Sequence, residues 1–198
     1  MNNIMLLLAL KLFLIACISE PNDHGEIEEL DKEKVQQLYC NKEGIDCEKH
    51  KTDICVQIPD QFKHVAAVGL FAHDRGCKGN AYYFDGEFIT LKELTPKALE
   101  FYGWKEPSKR EELALKWVKH IIVVWESPLN YLPKGFSEKE FYQPMSWTEE
   151  DKVKVKLWIQ EPAGMRNESK YRAEEYTFDT EGNLENIRSL GSKTISGN

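Results

Sequence analysis

The chain has 198 residues, 41% of them hydrophobic and 30% charged, and its 33 acidic against 26 basic side chains leave a net charge of −7 at neutral pH. That length supports one domain with a core of its own. The acidic balance argues against nucleic acid or an anionic headgroup surface as a partner, because like charge repels both.

The first element is an apolar run from Ile4 to Ala16, broken by Lys11. At 13 residues it is shorter than the roughly 20 that a spanning helix needs, and it has the length of a signal-peptide core. The run ends in Leu14-Ile15-Ala16-Cys17, a tetrapeptide that resembles the lipobox of bacterial lipoprotein precursors. The resemblance implies cleavage before Cys17, diacylglycerol on its thiol and palmitate-type acylation of the new N-terminus. Residues 1–16 are then the signal peptide and residues 17–29 a lipidated tether; Ser19 to Glu26 is polar, with Pro21 and Gly25 and no apolar period. Ile18 after the cysteine, where an Asp favours inner-membrane retention in enterobacterial lipoproteins, points to an outer membrane facing the periplasm. The alternatives are an ordinary signal peptide cut after Ser19, which releases a secreted protein, and a buried N-terminal helix. Without residues 1–16, which hold one lysine and no acid, the charge is −8, so membrane association rests on the lipid.

Four further cysteines, Cys40, Cys47, Cys55 and Cys77, make an even set. In an exported protein that number predicts two disulfides, with three connectivities open. Three of the four fall in a stretch too polar to bury much of itself, where a cross-link closing about 15 residues is worth roughly 3 kcal/mol in the chain-entropy view. A zinc site could be drawn from Cys47, His50 and Cys55, but the paired CxxC spacing is missing and export favours oxidation, so no metal is expected.

The folded region is read as one domain over residues 30–190. Leu30 to Tyr39 predicts a short helix capped by Asp31, and Ile54 to Ile58 a short strand. His64 to Phe71 is small and apolar and reads as a buried strand, with Gly69 at a bulge or close approach. Ala81 to Leu91 is a hairpin around Asp85-Gly86, a pair suited to a type I′ turn. Thr95-Pro96 predicts a helix start ending by Gly103. Ser108-x-x-Glu111 predicts a capping box for a long helix over Lys109 to Trp125, with Trp117 between Leu113 and Ile121 on its buried face.

In the C-terminal part Val153, Val155, Leu157 and Ile159 alternate with Lys152, Lys154, Lys156 and Gln160, which gives one dry and one wet face. A second strand runs through Phe178 and a third from Leu184 to Leu190. Glu174-Glu175 breaks the alternation, and a bulge there is expected. Residues 191–198 read as a disordered tail. The expected class is α+β: an antiparallel sheet with a C-terminal three-stranded meander, packed against one long and two short helices.

No nucleophile elbow, zinc-protease or phosphate-loop motif is present in the sequence, and no cofactor is expected. His73-Asp74 has the residue types of a base and its orienting acid but reads as a solvated turn, and Glu87, Glu93, Glu174 and Glu175 read as a wet surface. Asn167-Glu168-Ser169 fits a glycosylation acceptor, relevant only to a eukaryotic source. The segment from Leu129 to Trp147 is unusually aromatic, and Tyr131, Phe141, Tyr142 and Trp147 are candidates for an exposed ledge that binds a protein or glycan. The leading expectation is a lipid-anchored, non-catalytic binding or accessory module with an envelope protein or glycan as partner. The alternative is an envelope hydrolase acting on peptidoglycan, glycan or ester bonds.

Overall fold

In the computed structural model, which describes residues 28–72, 76–161 and 168–196, Asp31 caps the first helix, α1 (Lys32–Glu43), by accepting a 2.9 Å bond from the Lys34 amide. Gly44, at φ 68°, ends α1 in the left-handed conformation. A four-residue turn of helix, α2 (Cys47–His50), follows. Lipidation at Cys17, the signal peptide, His73-Asp74 and Asn167 all fall outside the described residues.

The first sheet is antiparallel with order β1-β2-β3-β4: β1 (Ile54–Gln57), β2 (Ala66–Ala72), β3 (Gly76–Phe84) and β4 (Glu87–Ile89). Both faces of β2 are covered from Ala66 to Val68, which explains the apolar sequence there, whereas Leu70 and Phe71 further along the strand are exposed. Ala66 and Val68 pack with Val35 and Cys40 of α1, while Val65 and Ala67 face the main core. Asp85 and Gly86 adopt φ of 47° and 83° at the tip of the β3–β4 hairpin, as a type I′ turn requires. Between Val68 and Leu70 the register slips by one residue, so Gly69 alone opposes two residues of β3. A Cβ on Gly79 would collide with the Val68 carbonyl and the Gly69 Cα, so the two backbones meet there only because both residues are glycine.

The four cysteines form two disulfides, Cys40–Cys47 and Cys55–Cys77. One ties α1 to α2, and the other spans β2 to join β1 and β3, so none of the four sulfurs is a thiolate available to zinc.

Two further helices form the middle layer. α3 (Leu91–Phe101) begins five residues before the start that Thr95-Pro96 pointed to, at a capping box made by Thr90 and Glu93. Pro96 lies inside the helix, and Thr95 is fully buried; its hydroxyl donates to the Leu91 carbonyl and accepts from the Trp117 indole N–H. The expected long helix is shorter than its periodicity suggested. Pro107–Lys109 form a 3₁₀ turn, α4 is Arg110–Trp117, and one π turn over Val118–Ile122 ends it. Five of the seven residues from Val118 to Val124 are β-branched, which disfavours continued helix. Ser108 caps nothing, and the Glu111 carboxylate accepts instead from Thr148.

The second sheet holds β5 (Ser127–Pro128), β6 (Met145–Glu149), β7 (Lys152–Gln160), β8 (Glu168–Phe178) and β9 (Leu184–Ser196). Its path is β5-β7-β8-β9, with β6 on the same edge of β7 as β5. The class is therefore the α+β fold expected, with β7-β8-β9 as the meander. β6 was hidden because its turn into β7 is Glu150-Asp151, at φ 50° and 61°, a pair without the glycine that usually marks such turns.

Two expectations need correction here. The register of β7 with β8 is unbroken from Val153↔Phe178 to Gln160↔Tyr171, so Glu174-Glu175 is not a bulge against β7. Tyr176 and Phe178 face the main core, whereas Tyr171 and Ala173 face a second cluster on the opposite side. The change of phase marks a sheet buried on different faces at its two ends. The irregularities lie in the β8–β9 pairing, between Ala173 and Glu174 and between Thr177 and Phe178. The tail is likewise not disordered from residue 191, because β9 pairs with β8 as far as Ser196; Ile195 packs beside Phe136, and Lys193 bonds Glu140 at 2.8 Å.

The main core lies between the sheets, where Phe62, Tyr82 and Phe84 meet Leu94, Leu99, Trp117 and Ile121, and these meet Val155, Leu157 and Tyr176. Trp117 is fully buried, its ring 5.1 Å from Phe62. Trp117→Ala is expected to cost about 3–5 kcal/mol of stability in urea unfolding, as large core truncations do. Gly79→Ala, which overpacks a backbone crossing, is expected to cost about 1–3 kcal/mol; a variant as stable as the parent would mean that β2 and β3 do not touch there.

Candidate functional site

The outward face of the second sheet is built from the wet half of the β7 alternation. Lys152, Lys154 and Lys156 point away from the core, and register fixes their neighbours. Trp147 of β6 and Thr177 of β8 flank Lys154; Met145 and Glu175 flank Lys156. On β9, Arg188 stands beside Glu175 and Asn186 beside Thr177.

These side chains pair across strands. Arg188 meets Glu175 at 2.9 Å, Lys152 meets Glu185 at 2.7 Å, and Lys154 bonds Glu149. Between them the face sinks into a depression of 330 Å³ whose lining is entirely polar, Glu149, Lys154, Glu175, Thr177, Asn186 and Arg188 among it. Glu175 and Thr177 are each only 8% exposed although they look towards solvent, so they belong to the floor.

The other end of the same face is dry. Leu129, Phe136, Trp158, Tyr171 and Ala173 form a small core, with Phe141, Tyr142 and Ile195 packed on it. Phe136 meets Trp158 and Tyr171 edge-on, at 5.0 and 5.1 Å between ring centroids. Lys156 marks the border: its ammonium lies 4.7 Å from the Tyr142 ring centre and 5.7 Å from that of Trp147.

The aromatic candidates therefore divide. Phe141 and Tyr142 pack on this small core. Trp147, half-buried, lies on β6 opposite Lys154, a lining residue of the depression, with the Lys156 ammonium over its ring. Tyr131 is 66% exposed and belongs to neither group. The polar floor was not singled out from sequence, because its members come from four strands and meet only through register.

A second polar cluster lies at the core edge of the inner face. Both Glu126 carboxylate oxygens accept from Arg172, at 2.7 and 2.6 Å; Arg172 Nε donates to Glu174 at 2.8 Å, and the Tyr176 hydroxyl donates to Glu174. The two carboxylates hold Arg172 further above its ordinary range, and burial, then Glu174, push the Tyr176 phenol well up. A permanent cation clamped between two carboxylates by charge-assisted bonds suits a tie between the end of the middle layer and β8. Of the other carboxylates noted in the sequence, Glu93 caps α3 and Glu175 is held by Arg188. Among the described residues no group of three or more His, Cys, Asp or Glu is placed to hold a metal.

No family model, curated protein or solved structure matches this chain.

Among the described residues the buried Tyr142 hydroxyl finds no hydrogen-bond partner. An unpaired buried hydroxyl costs free energy, so Tyr142→Phe is expected to leave stability unchanged or raise it by up to about 1 kcal/mol, whereas Tyr142→Ala loses the ring and lowers it. Burial also pushes the phenols of Tyr82, Tyr102 and Tyr142 up to about 12, with Glu175 adding to the effect at Tyr142. An unfolded chain ionises these groups near pH 10. Their contribution is thus complete below that pH and is lost as pH rises towards 12, because the unfolded state then binds fewer protons. Urea midpoints measured from pH 9 to 11.5 should fall, and fall less steeply in Tyr142→Phe.

Proposed function

We propose that this chain is a lipid-anchored module of the cell envelope that binds a partner and does no chemistry on it. The observation that carries the binding reading is the polar depression on the second sheet, floored by Glu175 and Thr177, with a packed aromatic cluster further along the same face. Its carboxylates at 149, 175 and 185 are each matched by a cation, which favours recognition over acid–base work, since a general acid or base needs its proton free to move. The envelope reading is supported by Leu14-Ile15-Ala16-Cys17 and by the pairing of all four remaining cysteines, which suits an oxidising compartment. The lipid would hold the domain near the membrane, on an outer membrane facing the periplasm, and the tether would give it reach.

Two measurements test this. Cys17→Ser should abolish palmitate incorporation and leave an unprocessed precursor; wild-type protein with no label and a free N-terminus would reject the anchor. A photoreactive residue at position 186, on the depression, should crosslink to one main partner in native cells, identified by mass spectrometry. A crosslink obtained only from position 131 would shift the binding surface to the exposed Tyr131 and leave the depression without a role.

A further inference from the structure

We infer that the depression on the second sheet is a carbohydrate site, taking one or two rings of a neutral glycan; this deepens the reading of the chain as a binding module and rests on it. The lining holds four carboxylates and three cations beside the neutral Thr177 and Asn186, and six of the seven charges pair with one another, so the surface carries little net charge. Such a floor gives neither an anion nor a cation a net attraction. What it offers is alternating donors and acceptors: Lys154, Arg188 and the Asn186 amide beside Glu149 and Glu175, with the Thr177 hydroxyl among them. A sugar hydroxyl donates and accepts at once, so a ring bearing several matches that alternation without disturbing the ion pairs.

A volume of 330 Å³ falls at the small end of small-molecule sites, enough for one or two pyranose rings. A protein interface wants an apolar centre, whereas here the centre is Glu175 and Thr177. The Trp147 indole stands next to the lining as the register neighbour of Lys154, and the Lys156 ammonium lies between the Trp147 and Tyr142 rings. An aromatic ring beside a hydrogen-bonding floor provides the apolar contact for the C–H face of a pyranose while the floor takes its hydroxyls.

The test uses the exported full-length protein and isothermal titration with three probes: chitotetraose, cellotetraose and the anionic tetragalacturonate. At least one neutral tetramer should bind more tightly than tetragalacturonate. Trp147→Ala and Thr177→Val should each weaken that binding by roughly tenfold, with the thermal midpoint close to the parent's. Thr177→Val keeps the side chain's shape and removes its hydroxyl, so it remains informative if Trp147→Ala fails to fold. No heat of binding from either neutral tetramer at probe concentrations on the order of 10 mM, tighter binding of the acidic tetramer, or full affinity in both variants would overturn the inference. The crosslink from position 186 separates the two claims: a protein captured there with no neutral tetramer bound ends the carbohydrate inference and leaves the binding module standing.

Discussion

Trp117 is the side chain on which the layers meet. Its ring packs edge-on against Phe62 on the side of the first sheet, its indole N–H reaches Thr95 of α3, and it shares one core with Val155 and Leu157 of β7. Burying an indole demands a partner for its N–H. The partner here is a threonine hydroxyl that is itself fully buried and passes its own hydrogen to the Leu91 carbonyl. This chain of two bonds locks α3 to α4, and the locked pair is the slab on which both sheets lie.

Because that slab covers only one side of the second sheet, the other side is free to differ along its length. Over Trp158, Ala173 and Tyr171 it is dry and roofed by Phe136, Phe141 and Tyr142; over Lys154, Glu175 and Thr177 it is open and polar. The boundary falls at Lys156, whose charge lies against two rings. The candidate site thus follows from an incomplete roof: the segment between β5 and β6 covers one end of the face and leaves the polar end open. The two disulfides act elsewhere, holding α1, α2 and the first sheet together, where the cysteine-rich stretch has little apolar surface of its own.

Much of the fold was legible in local patterns. The Asp85-Gly86 turn, the Asp31 cap, the close approach at Gly69 and the β7 alternation each depend on residues within a few positions of one another, and each is present. The errors arose where a local signal had a competitor. Thr95-Pro96 has the form of a helix start, but the cap made by Thr90 with Glu93 lies five residues earlier and leaves Thr95 to serve the core. The apolar period past Trp117 promised more helix, but β-branched side chains and the π turn ended it. The strand at Met145 was masked by a turn without glycine, which the pairing with β7 supports all the same.

By itself the sequence determined what depends on near neighbours and on counting: an apolar start ending in Leu14-Ile15-Ala16-Cys17, an even set of downstream cysteines, an acidic balance, and an α+β pattern with a C-terminal meander. Only the tertiary structure decided which cysteines pair, since four thiols allow three connectivities and the folded spacing of β1 and β3 selects one. It also decided that Tyr171 and Tyr176 serve opposite faces of one strand, because a strand's alternation says that its faces differ but not which of them a neighbouring layer will cover. The polar floor belongs to the same class of facts. Trp147, Lys154, Thr177 and Asn186 are far apart in the chain and become one row only through the register of four strands, which is fixed by the core beneath them and carries no local mark in the sequence.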